Sequence, residues 1–374
     1  MKFLHISDLH IGRRFNDVNL IDDQRMVLEQ IAGIAERESC GAVLIAGDVY
    51  DKANPIAEAM SLFNDFLMQL SGLKIPVFII SGNHDSPQRL EYLSGLAELS
   101  GIHICGRFSG NLEIHRISDE YGDIDVCLLP FIRPADVRKY FPDAQIQNYD
   151  DAVRTVIEDA ELDASVRKVI VCHQFVTGAQ ICDSEVFAVG GLDNISAENF
   201  REFDYAAMGH IHGAQYVQRP EVRYCGSPMK YSFSEANHHK SVTIVTLRER
   251  GDVEIEKIPL EAVHEVREVK GTLAELMEKP YSEDYVRVTV SDEIVPPDAR
   301  ISLLTVFPNM MKFAVENSKT GSPEEIDEGA DITSKTPVEL FEDFFRLMNN
   351  DVPPTEEQSE LIKSIIERLG EENA

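Results

Sequence analysis

Short continuous apolar runs and longer stretches of helical period follow one another along the first part of the chain. The runs Lys2 to Ser7, Ala42 to Ala46 and Pro76 to Ile80 predict buried strands. Between them, Leu20 to Glu38 carries apolar residues at helical spacing through Ile21, Val27, Leu28, Ile31 and Ile34. A second helix begins after Asn54-Pro55 and has Leu62, Phe63, Phe66, Leu67 and Leu70 on one face. This β-α-β-α-β order predicts a layered α/β sheet. Leu90 to Leu99 reads as a further helical stretch, and Ile102 to Pro130 is strand-rich. Helical stretches around Pro134 to Tyr140 and Asp150 to Ala160 precede two apolar strand cores, Lys168 to Cys172 and Asp204 to Met208. Gln215 to Gln218, Val222 to Cys225, Ser241 to Leu247 and Val253 to Ile258 read as antiparallel strands with tight connections.

The pattern shifts after about Val269. A helix at Gly271 to Lys279, a strand at Tyr285 to Val290, a helix at Asp298 to Val306 and a strand at Met310 to Val315 make a small α+β module. Asn317 to Ser334 is polar and acidic and reads as a linker. Two capping boxes follow, Thr336-Pro337-Val338-Glu339 and Thr355 with Gln358, and open two helices separated by Pro353-Pro354. The expected organisation is a large domain over residues 1–269, a capping module over 270–316, a linker over 317–334 and a helix-loop-helix over 335–374.

Polar residues collect where the strands end. Asp8-Leu9-His10, Gly47-Asp48, Gly82-Asn83-His84-Asp85, His173 and His210-Ile211-His212 each follow an apolar run. Open α/β sheets place their sites at these carboxyl ends. A spacing of two lets Asp8 and His10 turn the same way, and likewise His210 and His212. Collected, Asp8, His10, Asp48, Asn83, His84, His173, His210 and His212 offer carboxylates, one amide and several imidazoles. The set is too rich in nitrogen for a calcium cage and lacks the thiolates of a structural zinc site, so it suits first-row divalent cations. If two ions share the site, Asp48 is the natural bridging carboxylate. Such a pair activates water and clamps a phosphodiester.

Charge narrows the partners. The formal net charge of −30 repels nucleic acid globally, so a nucleic-acid substrate requires a local, metal-assisted contact or a basic partner. The six cysteines are scattered without a Cys-x-x-Cys pair, which speaks against a zinc knuckle or a disulfide framework and for reduced thiols in a cytoplasm. No apolar run approaches a membrane span, and the opening directly into a strand predicts no signal peptide. A Gly-x-x-x-x-Gly-Lys-Ser/Thr loop is missing, so no ATP is expected on this chain.

In order, spacing and strand context, these motifs resemble the calcineurin-like metallophosphoesterases. The resemblance runs from the first strand to Cys225-Gly226-Ser227-Pro228-Met229-Lys230-Tyr231-Ser232-Phe233. That run, with Asp8-Leu9-His10-Ile11-Gly12 and His173-Gln174-Phe175-Val176-Thr177-Gly178, is similar to the bacterial SbcD nuclease family. The resemblance implies an α/β fold: a two-sheet layered sandwich flanked by helices, a small α+β capping domain and a C-terminal helical pair. It implies a manganese-dependent nuclease (magnesium being the alternative) acting on double-stranded DNA ends and hairpins in repair and recombination. It further implies a homodimer, joined to an SbcC-like ATPase in a heterotetramer, in the cytoplasm at the nucleoid.

By the same resemblance, Asp8, His10, Asp48 and His212 hold a first metal ion, and Asp48, Asn83, His173 and His210 a second. His84 contacts the phosphate and protonates the leaving oxygen. A protonated His84 needs an orienting carboxylate. Asp51 and Asp85 are the candidates, and Asp51 is favoured because related phosphatases carry an Asp there. Lys52 and Ala53 replace the Arg-Gly of protein serine/threonine phosphatases, which argues against protein dephosphorylation.

Arg13, Arg14, Lys52, Arg89 and Lys230 lie beside the motif loops and are candidates for DNA phosphate contact. In the tail, Val338, Phe341, Phe344, Phe345 and Met348 form one apolar face and Leu361, Ile362, Ile365 and Leu369 another. A tethered helix pair cannot bury both faces alone, and the resemblance implies docking on the coiled coil of the ATPase. The helices around Leu62 to Leu70 and Leu90 to Leu99 are the expected dimer contacts. Two other readings compete: a small-molecule phosphodiesterase on the same fold, and a non-enzymatic scaffold. The extra module and tail count against the first, the complete ligand set against the second.

Overall fold

The computed structural model describes residues 1–16, 18–182 and 194–317, and near the C-terminus 341–342, 344–346, 349, 352–355 and 357–362. It divides into two units, Met1–Glu265 and Val266–Ala374.

The first unit is built on two six-stranded sheets. One runs in the order Val253–Pro259, Ser241–Leu247, Lys2–Ile6, Ala42–Ala46, Val77–Ile80, Ile102–Cys105. Its last four strands are mutually parallel, Ser241–Leu247 pairs antiparallel with Lys2–Ile6, and Val253–Pro259 adds antiparallel at the edge. The other runs Gln215–Val217, Arg219–Tyr224, Tyr205–Gly209, Arg167–His173, Gly122–Leu129, Glu113–Asp119. The strand-end loops therefore come from two sheets, as the sandwich expectation has it, and do not share one sheet edge. Arg219–Tyr224, expected to be purely antiparallel, pairs antiparallel with Gln215–Val217 but parallel with Tyr205–Gly209.

Strand period places the core. Leu44, Phe78, Val126, Val171, Tyr205 and Val245 point between the sheets and form one buried cluster. Their alternating neighbours face outward: Ile170, Cys172, Ala206 and Met208 pack against Val153, Val156 and Phe200. Both faces of the central strands are thus covered, which is why those strands read as continuous apolar runs. Burying one side chain such as Phe78 contributes ~1.5–3 kcal/mol. Helix Ile21–Arg37 packs with helix Ala57–Gly72. Asp22 and Asp23 in its first turn and Arg37 in its last complement the helix dipole.

Leu90 to Leu99 is not one helix. Pro87–Leu90 and Ser94–Ala97 are single turns, separated at Leu93 with φ 65°. Tyr92, Leu93, Leu96 and Leu99 are exposed, so no buried face holds a longer helix together.

The second unit holds a three-stranded parallel sheet, Val266–Gly271, Tyr285–Val290, Met310–Val315. Helices Leu273–Met277 and Ala299–Leu303 join the strands, over a core of Leu276, Val286, Val288, Val290, Leu303 and Phe307. The expected boundary after residue 269 falls inside its first strand. Arg267, Glu268 and Lys270 mask that strand in the sequence, because they put exposed charge on both of its faces and leave no apolar alternation. In the tail, Thr355 and Gln358 cap each other as expected, and the Phe341 and Phe345 rings lie 5.8 Å apart. Residues 318–340, Met348 and Ile365 lie outside the described residues. Among the described residues no helix is long and apolar enough to cross a membrane.

Candidate metal centre

The loops after Ile6, Ala46 and Ile80 of one sheet meet His173 and the loop after Gly209 of the other. Backbone hydrogen bonds tie them together: the Asp8 N–H donates to the Gly47 carbonyl and the His10 N–H to the Asp48 carbonyl, both at 3.0 Å. Asp8, His10, Asp48 and His210 have φ of 52°, 43°, 48° and 103°. Non-glycine residues in that region cost of order ~1–3 kcal/mol each and persist where the surroundings over-determine them. At Gly209 the loops approach so closely that a Cβ would lie 1.9 Å from the Ala46 carbonyl oxygen. At Gly82 a Cβ would lie 2.1 Å from Asp48 Oδ1. Glycine is required at both positions by contact with the opposing loop.

These loops bring the donor atoms to one buried cluster. His10 Nε2 and His212 Nε2 face each other at 3.1 Å. Asp8 offers an oxygen within 4.8 Å of ligand atoms of both, and does the same for Asp48 and His173. Asp48 Oδ2 lies 3.7 Å from His10 Nε2 and 3.4 Å from His173 Nε2, between the two sides of the cluster. Asn83 Oδ1 accepts from His173 Nε2 at 3.1 Å and from His210 Nδ1 at 2.9 Å. His173 Nδ1 also donates, to the Ala46 carbonyl at 2.7 Å. Both nitrogens of His173 thus face oxygen acceptors. Burial opposes protonation of this ring, but the Asp48 and Asp8 charges outweigh it and raise its pKa to about 9. Converging nitrogen and oxygen atoms held together by protons are what a divalent cation would replace, so the donor set fits a metal centre.

Charge within the cluster is arranged by burial first. Burial raises the Asp8 carboxyl to about 6, and it lowers His210 to about 3 and His10 well below the usual imidazole range. Neutral imidazole is the form that coordinates a metal. Burial also pushes Asp48 up, but the charge of His173 and the hydrogen bond from it outweigh this and hold that carboxyl well below its ordinary value.

A surrounding layer orients these side chains. His212 Nδ1 donates to Glu235 Oε1 at 3.2 Å, and the buried Glu235 pairs with Lys240 at 2.6 Å. Gln24 Nε2 donates to the His10 carbonyl at 2.8 Å, and the Tyr231 hydroxyl donates to the Leu9 carbonyl. Carboxylates behind ligating histidines fix the tautomer and raise basicity. Glu235, Lys240 and Gln24 escape a reading of the sequence. The one available signal for the first two is their position just past the Cys225 to Phe233 run.

His84 stands half-buried beside the cluster, its ring 4.9 Å from that of His10. Its backbone N–H donates to Asp48 Oδ1 at 2.9 Å. The expected Asp51 carboxylate–His84 pair is not formed. The His84 Nδ1–H instead donates to the Asp51 backbone carbonyl at 3.1 Å. The Asp51 carboxylate turns to Arg13 Nη1 at 3.1 Å and lies 4.0 Å from His10 Nδ1. The alternative, Asp85, is also engaged elsewhere: its carboxylate accepts the N–H groups of Val49, Tyr50 and Gly82 at 3.1, 2.9 and 2.9 Å. It shapes the loop.

The basic residues separate in the same way. Arg14, Lys52 and Arg89 are exposed. Arg13 lies over the Tyr231 ring at 5.4 Å. Lys230, expected to be available to phosphate, is bound by Glu265 at 2.6 Å and the Ala236 carbonyl at 2.8 Å.

Residues 1–214 match the family model described as calcineurin-like phosphoesterase, a span that ends just after His212. Residues 262–349 match the model described as type 5 capsule protein repressor C-terminal domain. The chain is 27% identical over 379 residues to the SbcD subunit of the nuclease SbcCD of Staphylococcus epidermidis, covering 98% of each. Similar solved structures include a dimetal phosphatase from Danio rerio, with TM-score 0.43 and 12% identity over 70% of this chain and 99% of that one. A protein of Thermus thermophilus has TM-score 0.39 and 14% identity over 68% of this chain and 98% of that one. The first family model spans more than half of the chain and contains every strand-end motif, and on that basis the chain belongs to the calcineurin-like phosphoesterase family.

Proposed function

We propose that this chain is the nuclease subunit of a complex with an SbcC-like ATPase and hydrolyses DNA phosphodiesters with two divalent cations. The observation that carries the reading is the single buried cluster: His10 and His212 face at 3.1 Å, and Asp48 lies between His10 and His173. The end-to-end likeness to a nuclease subunit supports the substrate class. Asp8, His10, Asp48 and His212 would hold one ion, and Asp48, Asn83, His173 and His210 the other. The nitrogen-rich set favours manganese over magnesium. Bound there, the ions would polarise the phosphoryl oxygens and lower the pKa of the attacking water.

The protein's own groups supply the rest. Hydrolysis forms one P–O bond with water and breaks one to the 3′ or 5′ oxygen, which must take up a proton. His84 can give it from Nε2, because its Nδ1–H is held by the Asp51 carbonyl throughout. A carbonyl accepts in either protonation state of the ring, so the orientation survives the transfer. Asp51 thereby acts as a positioning residue through its backbone.

Within this reading the complex acts on double-stranded ends and hairpins at the nucleoid, and the second unit helps to position DNA. Exposed Tyr92, Leu93, Leu96 and Leu99, with Met60 and Met68, supply an apolar surface suited to a homodimer within a heterotetramer. Phe341, Phe344, Phe345 and Leu361, with Met348 and Ile365, dock the ATPase, which binds the ATP.

The test is cleavage of a labelled DNA hairpin with Mn²⁺, comparing wild type with His84→Gln, each with and without the ATPase. Cleavage by wild type and loss in a metal-loaded mutant is the expected result. Hydrolysis of a small diester without any DNA cleavage would replace this reading with that of a small-molecule phosphodiesterase.

A further inference from the structure

One sheet of the first unit ends on strand Ile102–Cys105 and the other on strand Glu113–Asp119. Four side chains of metal-ligand type meet across that edge, away from the Asp48 cluster. His103 and Cys105 share one face of the first strand, Glu113 and His115 one face of the second. The His103 and His115 ring centroids are 4.3 Å apart, and Glu113 Oε1 accepts from His115 Nε2 at 2.6 Å. The same carboxylate accepts from the thiol of the buried Cys105. His103 Nδ1 is shielded from solvent without a hydrogen-bond partner, and Glu98 Oε1 stands off at 3.9 Å. Burial lowers the pKa of His103 and so favours the neutral ring, the form that coordinates a metal. A buried ring nitrogen without a partner is costly, and a cation would satisfy it.

We propose that this edge is a second metal site, in which His103, Cys105, Glu113 and His115 hold a zinc ion. Two imidazoles, one thiolate and one carboxylate are a four-donor set for tetrahedral zinc, and the thiolate selects against manganese and magnesium. The donors stand close without meeting at one point, so binding turns side chains: the Glu113–His115 bond opens, and the Cys105 thiol gives up its proton to solvent. His103, Glu113 and His115 are part-exposed and leave an entry path. The two strands belong to different sheets, so no ladder joins them, and a shared ion would fasten the sandwich where it lies open. The inference does not depend on the nuclease reading.

Cobalt(II) reads this site without any assay of hydrolysis. Thiolate bound to Co²⁺ absorbs in the near ultraviolet, and the ligand set proposed for the first centre has no thiolate. The full-length protein is saturated with Mn²⁺ and titrated with Co²⁺. A thiolate band that saturates at about one ion per chain and is bleached by Zn²⁺ is the expected result. Cys105→Ser should abolish the band, and His115→Gln should weaken Co²⁺ binding at least about tenfold. Cys182→Ser should retain it, which sets aside the thiol beside His212 and Glu235. Thermal melting gives a second readout in protein carrying His10→Ala and His173→Ala. There Zn²⁺ at roughly ten times its dissociation constant should raise the midpoint by about 2–4 °C, and Cys105→Ser should cancel the rise. Melts in chelator show whether each variant folds. Should Cys105→Ser not fold, His103→Asn with His115→Gln, at part-exposed positions, takes its place. Absence of a thiolate band in wild type overturns the inference. So does a band, or a zinc-induced rise, that survives loss of Cys105 or of both histidines.

Discussion

The Nδ1–H of His84 donates to the backbone carbonyl of Asp51, while the carboxylate of the same Asp51 is held by Arg13. One residue thus anchors two different side chains through two different groups. A substitution at Asp51 that keeps the backbone should leave His84 in place. Asp51→Asn is expected to lower hydrolysis by less than about tenfold, whereas His84→Gln removes a proton donor worth about 10²–10⁴-fold. Steady-state rates for both, beside Mn²⁺ binding by calorimetry, check this. A loss as large in Asp51→Asn as in His84→Gln would show that the carboxylate is needed.

Glu235 is buried between His212 and Lys240. Glu235→Gln weakens the acceptor behind His212 and should reduce metal affinity about 10–100-fold. Titration with Mn²⁺ reads this directly, and His212 itself is untouched by the change. Unaltered affinity would reduce Glu235 to a structural partner of Lys240.

The loops meet at Gly209, where a Cβ would strike the Ala46 carbonyl and lie 2.7 Å from His173 Nδ1. Gly209→Ala should destabilise the fold by about 1–3 kcal/mol or more, because backbone cannot move aside cheaply. Gly33 is its control: it lies in helix Ile21–Arg37 with no atom within 4 Å of the added Cβ. Gly33→Ala should stabilise by up to about 1 kcal/mol. Urea unfolding of the two variants should move in opposite directions.

Metal binding to the folded protein alone should stabilise it. At a hundred times the dissociation constant, Mn²⁺ should add about 2.7 kcal/mol, removable by chelator. Alanine at both His10 and His173 should erase this difference between metal and chelator melts.

Asp119 joins the N-terminal ammonium to Arg167 at 2.5 Å. Burial pushes its carboxyl up, but hydrogen bonds from Arg167 and the N-terminus bring it down to about 2, below the ordinary 3.8. A lowered folded-state pKa means stability present above the unfolded value and lost as pH falls through the folded one. Wild type should therefore lose about 2 kcal/mol relative to Asp119→Asn as pH drops from about 4 to about 2, and be more stable by that amount at neutral pH. Denaturant midpoints of the pair across that range should converge in acid; a constant gap would exclude the titration of Asp119 as the cause.

Much of this molecule is written locally. A buried parallel strand is a continuous apolar run whatever it packs against, so Ala42–Ala46, Val77–Ile80 and Tyr205–Gly209 stand out from their own residues. Metal-ligand residue types immediately after those runs are equally local, which is why Asp8, His10, Asp48, Asn83, His173, His210 and His212 are all legible before any fold is known. Strand Val266–Gly271 is not, since exposed charges on both of its faces hide the period. Nor is the partition of the loops between two sheets, the turn of Asp51 away from His84, the capture of Lys230 by Glu265, or Glu235 behind His212. Residue order sets which groups are available and which segments are buried, because those follow from period and polarity. Which atom of a side chain meets which partner is decided by long-range approach and rotamer, and those exist only once the two sheets have packed.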